Sequence, residues 1–241
     1  MGPQGPDGGV ATVRNGRTVR TYTADRAADL GPHAASEQQV GARVIDVVRG
    51  RLEGLLEFTP LPRIDHRGFT MEVLSPDVLA ERGIDATRFL WEEQTLSRRS
   101  TIRGLHGSTI VRGAQLLRCV RGRVYAVVVD LRPWSSTYLR WTAITLDDRT
   151  NRQLFVPAGF ARGFATLSDW SVVIARADEP TDPALSLSVR WDDPDLAIRW
   201  PVDNPVISDA DRTAPALHDV LPRITAWQAP ATEIDLRRVG T

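Results

Sequence analysis

The sequence contains no lysine, so all 30 of its cationic side chains other than histidine are arginines. Without lysine there is no amine to form a Schiff base with a carbonyl substrate. Aspartate and glutamate also total 30, which gives a formal net charge of zero. A chain without a positive excess lacks the electrostatic field that attracts nucleic acid. We therefore expect neither Schiff-base chemistry nor a nucleic-acid partner.

Cysteine and long apolar runs are also scarce. The single cysteine, Cys119, rules out an internal disulfide and a cysteine metal cluster. It lies in an apolar, strand-like run, where we expect a small core residue. No apolar run approaches the length needed to cross a bilayer. The first residues, MGPQGPDGG, lack the basic and apolar regions of a secretory signal. These features predict a cytoplasmic protein with no membrane partner.

Only four histidines are present, and they are far apart in the chain. His33 falls in a region rich in Gly, Ala and Pro, His66 in a turn and His218 near the end of the chain. His106 is the one histidine expected inside the folded domain. A metal site needs several inward-facing histidines or carboxylates. We therefore predict no metal site and no cofactor.

The chain has the length of one large domain with an appendage, at 241 residues and 26.7 kDa. Residues 1 to about 35 show no sustained periodicity, and residues 1–45 are predicted to form an arm that is flexible or partly helical. Valine spacing over 36–48 favours a short amphipathic helix with Ser36 as its N-cap. We expect the folded domain over 46–224 and a tail over 225–241.

Short β-like runs separated by turn residues fill the predicted domain. Ser75 and Pro76 are expected to begin one short helix, and Ser208 another. The run 123–131 is apolar on both alternating faces, so its strand is predicted to be buried on both sides, between sheets. The predicted strands are 55–58, 69–73, 89–97, 114–120, 123–131, 138–146, 152–157, 163–167 and 171–177. This pattern predicts an antiparallel β-sandwich or jelly roll with small helices at its edges.

Read together, a series of short motifs resembles the dTDP-4-dehydrorhamnose 3,5-epimerase family of nucleotide-sugar epimerases. The motifs follow the family's order and cover about residues 50–218. They are Asp65-His-Arg-Gly-Phe-Thr-Met-Glu72, Arg103-Gly-Leu-His106, Arg118-Cys-Val-Arg-Gly122, Val128-Val-Asp-Leu-Arg132, Phe155-Val-Pro-Ala-Gly-Phe-Ala-Arg-Gly-Phe164, Leu167-Ser-Asp169, Arg190-Trp-Asp-Asp-Pro194 and Ile198-Arg-Trp-Pro201. The resemblance implies a mainly β fold, a cupin-type double-stranded β-helix (jelly roll) with short flanking helices.

The resemblance implies a pair of catalytic residues. In the family, the histidine of the Arg-Gly-Leu-His motif removes a proton next to the C4 keto group, and an aspartate of the Trp-Asn/Asp-Asp-Pro segment orients it. These roles carry over to His106 and Asp193. A carboxylate that accepts from one imidazole nitrogen fixes the tautomer and raises the basicity of the other. Two simpler interpretations stay open: His106 as a satisfied core histidine, and Asp193 as the cap of the turn before Pro194.

The resemblance also implies substrate-binding positions. Arg103 matches an arginine that reaches the pyrophosphate or the sugar. Arg67, Phe69 and Glu72 match positions that grip the nucleotide, partly across a dimer interface. The implied partners are therefore a dTDP-sugar and a second copy of the chain. The planar guanidinium of arginine suits a diphosphate because its N–H groups match the phosphate oxygens. Surface ion pairing is the alternative for Arg67 and Glu72.

Several positions depart from the family pattern. Gln115 stands where the family has a lysine, Arg162 where it has a second histidine, and Ala175 where it has a proton-donating tyrosine. Trp91 and Glu93 replace part of a Gln-x-Asn segment. We include Trp91, Glu93, Gln115 and Arg162 among the predicted substrate-binding residues because all four change the character of the pocket.

The missing tyrosine leaves the proton donor open. Tyr125 and Tyr138 are candidates to replace it, with core or edge packing as the alternative for both. Arg162 and Gln115 can stabilise an enolate by hydrogen bonding. An arginine does not titrate near neutral pH, so Arg162 is not a candidate donor.

Three functions fit these observations. The first is an isomerase that epimerises a nucleotide-linked 4-keto-6-deoxy sugar at C3, C5 or both, in deoxysugar or secondary-metabolite (antibiotic) biosynthesis. A second is a related cupin enzyme that isomerises or cyclises a non-nucleotide metabolite. The third is a non-catalytic member that binds a ligand or a partner subunit. The retained histidine favours the first, and the replaced pocket residues favour the other two.

Overall fold

The computed structural model describes residues 44–224 and 227, together with the strands at 10–14 and 17–21. The strands are β1 (Val10–Arg14), β2 (Arg17–Thr21), β3 (Ile45–Arg49), β4 (Leu56–Pro60), β5 (Arg63–Asp65), β6 (Gly68–Thr70), β7 (Trp91–Arg98), β8 (Ile102–Ser108), β9 (Gln115–Arg121), β10 (Arg123–Asp130), β11 (Trp141–Asp147), β12 (Gln153–Val156), β13 (Phe160–Thr166), β14 (Trp170–Ala177) and β15 (Ser186–Ser188). The helices are α1 (Pro76–Ala80), α2 (Asp209–Arg212) and α3 (Leu217–Ile224), with 3-10 turns at Ala86–Arg88 and Pro183–Leu185.

Two antiparallel sheets form the body of the domain. One has five strands in the order β11-β10-β13-β8-β15, and the other has six in the order β3-β4-β12-β9-β14-β7. Their inner faces share a cluster of apolar side chains contributed by strands of both sheets. Strands β1 and β2 form a separate hairpin, as do β5 and β6. The predicted jelly roll with short flanking helices is confirmed.

Strand β10 runs through the middle of the domain and is buried on both faces. Val124, Ala126 and Val128 point into the space between the two sheets. Val127 and Val129 face the other way and are fully buried. They pack with apolar residues of helix α3 and its surroundings, namely Leu217, Val220 and Ile224. The predicted burial on both sides is confirmed, but the outer face is covered by the C-terminal helix rather than by a second sheet.

The end of β10 is held by a buried ion pair. The Arg132 guanidinium donates to both carboxylate oxygens of Asp130, at 2.9 and 2.7 Å. Ser135 and Thr137 donate to the same carboxylate at 2.5 and 2.7 Å. Burial opposes ionisation of Asp130, but these hydrogen bonds outweigh it and lower the pKa of its carboxyl group. Because Arg132 also lies over the ring of Phe160, at 4.6 Å, this cluster fixes the start of β13.

The N-terminal edge of the domain differs from the prediction. Residues 36–43 of the predicted helix lie outside the described residues, and its last part is wrong because Ile45–Arg49 forms strand β3, paired with β4. Ile45 is 4% exposed, so the core already includes the first residue of this strand. The β-branched side chains at 45, 47 and 48 favour a strand once β4 offers an edge. The predicted arm contains β1 and β2; its boundaries at 45/46 and 224/225 stay predictions.

Besides β3, two further strands of the large sheets, β8 and β15, were not predicted because their sequences do not alternate. Strand β8 contains Gly104 and Gly107 beside Arg103 and His106, and β15 is only three residues long. The predicted α2 is confirmed with its cap, since the Ser208 hydroxyl accepts from the backbone N–H of Asp211 at 3.1 Å. Helix α1 begins at Pro76 as predicted, although Ser75 makes no side-chain cap bond. Within the described residues, no helix has the length and apolar character needed to cross a membrane.

Candidate active site

The two glycine-containing motifs meet where β8 and β13 lie side by side. A methyl group on Gly104 would sit 2.6 Å from the carbonyl oxygen of Arg162, and one on Gly163 would sit 2.6 Å from that of Arg103. Gly104 also has φ +115, a conformation that side chains with a Cβ rarely adopt. The pairing register shifts between Arg162 and Phe164. Close approach of the two backbones is thus the reason that both motifs carry glycine.

This approach places His106 beside Arg162 on the inner face of the five-stranded sheet. Arg162 is the cross-strand partner of both His106 and Val128. Directly paired residues project to the same face of a sheet, and Val128 belongs to the apolar cluster between the sheets. His106 and Arg162 therefore face the interior of the jelly roll.

The six-stranded sheet supplies the opposite wall. Ala175 pairs with both Glu93 and Leu117, and Leu117 packs against the interior cluster. The side chain of Glu93 therefore points inward as well. By the same register, Ala177 pairs with Trp91 and Gln115, so these side chains point inward too. 

Arg103 also lies at the interior, where it joins the two walls. It is the partner of Phe164, which packs against the interior cluster. Its Nε donates to the hydroxyl of Ser97 on β7 at 3.0 Å. Six of the predicted site residues thus face the interior of the jelly roll: Trp91, Glu93, Arg103, His106, Gln115 and Arg162.

The carboxylate that contacts His106 belongs to Asp211. His106 Nε2 lies 2.6 Å from Asp211 Oδ1. The Asp211 side chain is 6% exposed, whereas that of His106 is 45% exposed. The backbone N–H of Gly104 approaches the other carboxylate oxygen at 3.5 Å, and Ser208 caps the short helix that carries Asp211. Since Asp211 engages Nε2 of the imidazole, Nδ1 is the nitrogen left for chemistry.

Asp193 does not have the role that the resemblance implied, so the His106–Asp193 pairing is wrong. Asp193 is buried, and its Oδ1 accepts from the backbone N–H groups of Asp195 and Leu196 at 3.0 and 3.3 Å. Its Oδ2 accepts from the N–H of Leu217 at 2.7 Å. The alternative interpretation is confirmed: the carboxylate caps the turn around Pro194, and it also holds the start of α3.

Arg162 brings a partly buried positive charge to the site. Desolvation lowers the pKa of its guanidinium to about 10, an effect that the nearby Glu93 carboxylate opposes. Its Nη1 donates to the backbone oxygen of His106 at 3.3 Å. None of the described carboxylates lies within ion-pair distance of it. Gln115 adds a buried Oε1 that accepts no hydrogen bond from the described residues. Both groups suit a polar, electron-rich ligand.

Three predicted binding residues lie away from this interior. Arg67 and Phe69 belong to the hairpin β5–β6, which forms its own two-stranded sheet, and Glu72 follows it. Arg67 pairs with Asp65 at 2.6 Å, and hydrogen bonds from Arg67 lower the pKa of that carboxyl group to about 2. Phe69 is 54% exposed. Within a single chain, Arg67 therefore forms a surface ion pair, which is the alternative considered for it from the sequence.

The candidate replacement tyrosines are also placed elsewhere. Tyr125 alternates with Val124 and Ala126, so it faces outward, where its ring packs edge-on against Trp200 at 6.4 Å. Tyr138 lies in the turn between β10 and β11. No group of three His, Cys, Asp or Glu side chains that could hold a metal ion occurs in the described part of the chain.

Comparison with known proteins supports the geometric picture. A family model described as dTDP-4-dehydrorhamnose 3,5-epimerase matches residues 48–219. The dTDP-4-dehydrorhamnose 3,5-epimerase of Methanothermobacter thermautotrophicus is 37% identical over 168 residues, which cover 68% of this chain and 90% of that relative.

Two solved structures have similar folds. NovW, a 4-keto-6-deoxy sugar epimerase from the novobiocin biosynthetic gene cluster of Streptomyces spheroides, is 33% identical with a TM-score of 0.69, covering 73% of this chain and 88% of that one. ChmJ, a 3'-monoepimerase from Streptomyces bikiniensis in complex with dTDP-quinovose, is 32% identical with a TM-score of 0.68, covering 73% of this chain and 91% of that one.

Proposed function

Since this chain belongs to the dTDP-4-dehydrorhamnose 3,5-epimerase family, we propose that it epimerises a dTDP-linked 4-keto-6-deoxy sugar next to the keto group. It is an isomerase of the kind used in deoxysugar and antibiotic biosynthesis, and neither alternative considered from the sequence is favoured by its relatives. The observation that carries the proposal is the His106–Asp211 pair at 2.6 Å beside the partly buried Arg162.

The chemistry begins with proton removal by His106. Asp211 holds the imidazole in one orientation and stabilises the positive charge that forms on it. Nδ1 then takes the proton from the carbon next to the C4 keto group. As the C–H bond breaks, its electrons move to the keto oxygen and form an enolate. A positioned base of this kind contributes roughly 10²–10⁴ in rate.

The enolate oxygen needs hydrogen-bond donors that are already in place. Arg162 and the amide of Gln115 face the same interior, and the guanidinium stays charged at neutral pH because its pKa is about 10. Donors oriented before the reaction stabilise developing charge without reorganisation. Arg103, bonded to Ser97 at the junction of the walls, supplies a planar donor for the diphosphate.

A second copy of the chain completes the proposal. Strand β7 pairs only with β14 among the described strands, and large apolar side chains on and near it are exposed: Leu90 by 75% and Leu96 by 54%. Exposed apolar groups beside an unpaired strand edge favour association with another chain. We place Arg67, Phe69 and Glu72 at the partner's site in this homodimer. The cytoplasmic location expected from the sequence stays a prediction.

Incorporation of deuterium tests the proposed reaction. The protein is incubated with dTDP-4-keto-6-deoxyglucose in D₂O, and the protons at sugar C3 and C5 are followed by NMR. We expect loss of the proton signal at one or both carbons. In His106→Ala, the rate of this exchange should fall by about 10²-fold or more. His218→Ala is the matched control because His218 also neighbours a carboxylate, Asp219 at 3.1 Å, but is exposed. No deuterium uptake in the parent protein would reject the proposal.

A further inference from the structure

Inversion at a carbon requires proton positions on both of its faces. The proposed reaction removes a proton on the His106 side, so the replacement proton must arrive from the opposite side. His106 lies on the five-stranded sheet, and the opposing wall of the interior is the six-stranded sheet. A second acid–base group must therefore be an inward-facing ionisable side chain of this sheet, whose strands nearest to and including β7 are β4, β12, β9, β14 and β7.

Three inward-facing groups on these five strands can exchange a proton. Cys119 lies deep in the apolar cluster, and burial raises the pKa of its thiol to about 12. Glu57 is held by Arg152 at 2.9 Å on β4, which three strands separate from β7. Glu93 lies on β7 near Arg162, with its carboxylate exposed. Of these three groups, only Glu93 is a carboxyl group without an ion-pair partner among the described residues that also lies near Arg162.

The surroundings of Glu93 leave it free to face a substrate. Its neighbour across β14 is Ala175, whose methyl group takes little room. Thr181 approaches Glu93 Oε1 at 3.4 Å from the loop before β15. From β13 it faces Arg162, which in turn donates to the backbone of His106. Arg162 thus connects the environments of the two acid–base side chains on opposite walls.

We propose that Glu93 is the second catalytic acid–base group, which returns the proton to the face opposite His106. His106 Nδ1 takes one proton, the electron pair moves to the keto oxygen, and the enolate carbon then takes a proton from the protonated carboxyl of Glu93. The bond order at C4 is restored, His106 ends protonated and Glu93 ends ionised. Both side chains reach water, so exchange with solvent resets them. This inference rests on the proposed function.

Glu93→Gln separates proton removal from inversion. The amide keeps the size and a hydrogen-bonding group but cannot deliver a proton. In D₂O with dTDP-4-keto-6-deoxyglucose, we expect formation of the inverted sugar to fall by roughly 10²–10⁴-fold. Deuterium exchange at the same carbon should continue at the order of the parent rate, since His106 can return deuterium to the face it deprotonated. Glu93→Asp should recover part of the inversion.

Glu92→Gln is the matched control. Glu92 neighbours Glu93 in sequence but projects to the other face, where it pairs with Arg176 at 2.5 Å. We expect this variant to invert and exchange as the parent does. A thermal shift with dTDP establishes that each variant is folded and binds nucleotide.

The outcomes separate the two proposals. Retained exchange with lost inversion in Glu93→Gln alone supports the role of Glu93. Inversion at the parent rate in Glu93→Gln overturns it, as does equal loss of exchange and inversion, which would indicate a positioning role only. If the parent protein neither exchanges nor inverts while it binds dTDP, the proposed function itself fails.

Discussion

At the scale of single residues, the site depends on two carboxylates that differ in their partners. Asp211 accepts from His106 Nε2, whereas Asp193 accepts only from backbone N–H groups. Both are nearly inaccessible to solvent. The sequence places Asp193 in a conspicuous Trp-Asp-Asp-Pro segment and Asp211 in an ordinary capped helix. Because His106 and Asp211 are 105 positions apart, only the fold reveals their contact.

Replacing Asp211 by asparagine tests the pair directly. An amide can donate to the imidazole and favour the wrong tautomer, and it does not stabilise the imidazolium that forms on proton removal. We expect kcat to fall by roughly 10²–10⁴-fold, with dTDP binding retained. Steady-state kinetics and a dTDP thermal shift measure the two effects.

Asp193→Asn serves as the comparison for that variant. Its carboxylate caps a turn and the start of α3, so the expected effect is a lower unfolding midpoint, from loss of about 1 kcal/mol. Turnover at a temperature where the variant stays folded should match the parent. A loss of kcat in Asp193→Asn equal to that in Asp211→Asn would contradict this assignment.

At the scale of strands, the site depends on how closely β8 and β13 approach. The sequence predicted most strands of the two sheets because their apolar residues alternate, but it did not predict β8, the strand that carries His106. Gly104 and Gly107 interrupt the alternation there, since the neighbouring backbone occupies the space of a side chain. The strand that matters most for function is thus the one that the hydrophobic pattern describes least.

Gly104→Ala should push β8 and β13 apart. The added methyl group would meet the carbonyl oxygen of Arg162 at 2.6 Å and the Cα of Gly163 at 2.7 Å, at a backbone φ of +115. We expect a loss of roughly 1–3 kcal/mol in stability and a fall of about 10²-fold in activity, because His106 would move. Gly113→Ala is the control: its φ is also positive, but no atom lies within 4 Å of the added methyl.

The buried Asp130–Arg132 cluster at the end of β10 is expected to make the stability of the fold depend on pH. The pKa of Asp130 is lowered in the folded protein, so the cluster stabilises the fold above the ordinary aspartate pKa and loses this contribution as pH falls through the folded value. Asp130→Asn leaves Arg132 buried without its partner and should cost roughly 3–5 kcal/mol at pH 7.

The pH dependence distinguishes this loss from general damage to the fold. Thermal unfolding of parent and Asp130→Asn is compared at neutral pH and below pH 4, and the difference between them should shrink on acidification. Asp203→Asn, at an exposed bend, is expected to match the parent at every pH. A difference that stays constant with pH would mean that ionisation of Asp130 does not stabilise the fold.

At the scale of the whole molecule, one chain supplies only part of the predicted site. The sequence suggested the fold, the family and the interior residues through motifs that need no structure to recognise. It also suggested Arg67, Phe69 and Glu72, which the described chain places on and after an exposed hairpin. A second copy related by two-fold symmetry would give each hairpin a partner site, and each site a partner hairpin.

Mixed dimers test whether the sites are shared. Phe69→Ala should weaken only the contribution of the hairpin, and His106→Ala only that of the interior. Each variant alone is then expected to be nearly inactive. When the two are co-expressed, half of the dimers are mixed, and each mixed dimer contains one site built from an intact interior and an intact hairpin. We expect recovery of roughly a quarter of the parent activity.

The control for this recovery of activity is co-expression of His106→Ala with Asp211→Asn. Both changes lie in the interior of a chain, but a mixed dimer has no interior with both groups intact. If sites are built as proposed, this second mixture stays inactive while the first recovers. Equal inactivity of both mixtures would mean that the hairpin acts within its own chain. In that case a mixed dimer has no intact site.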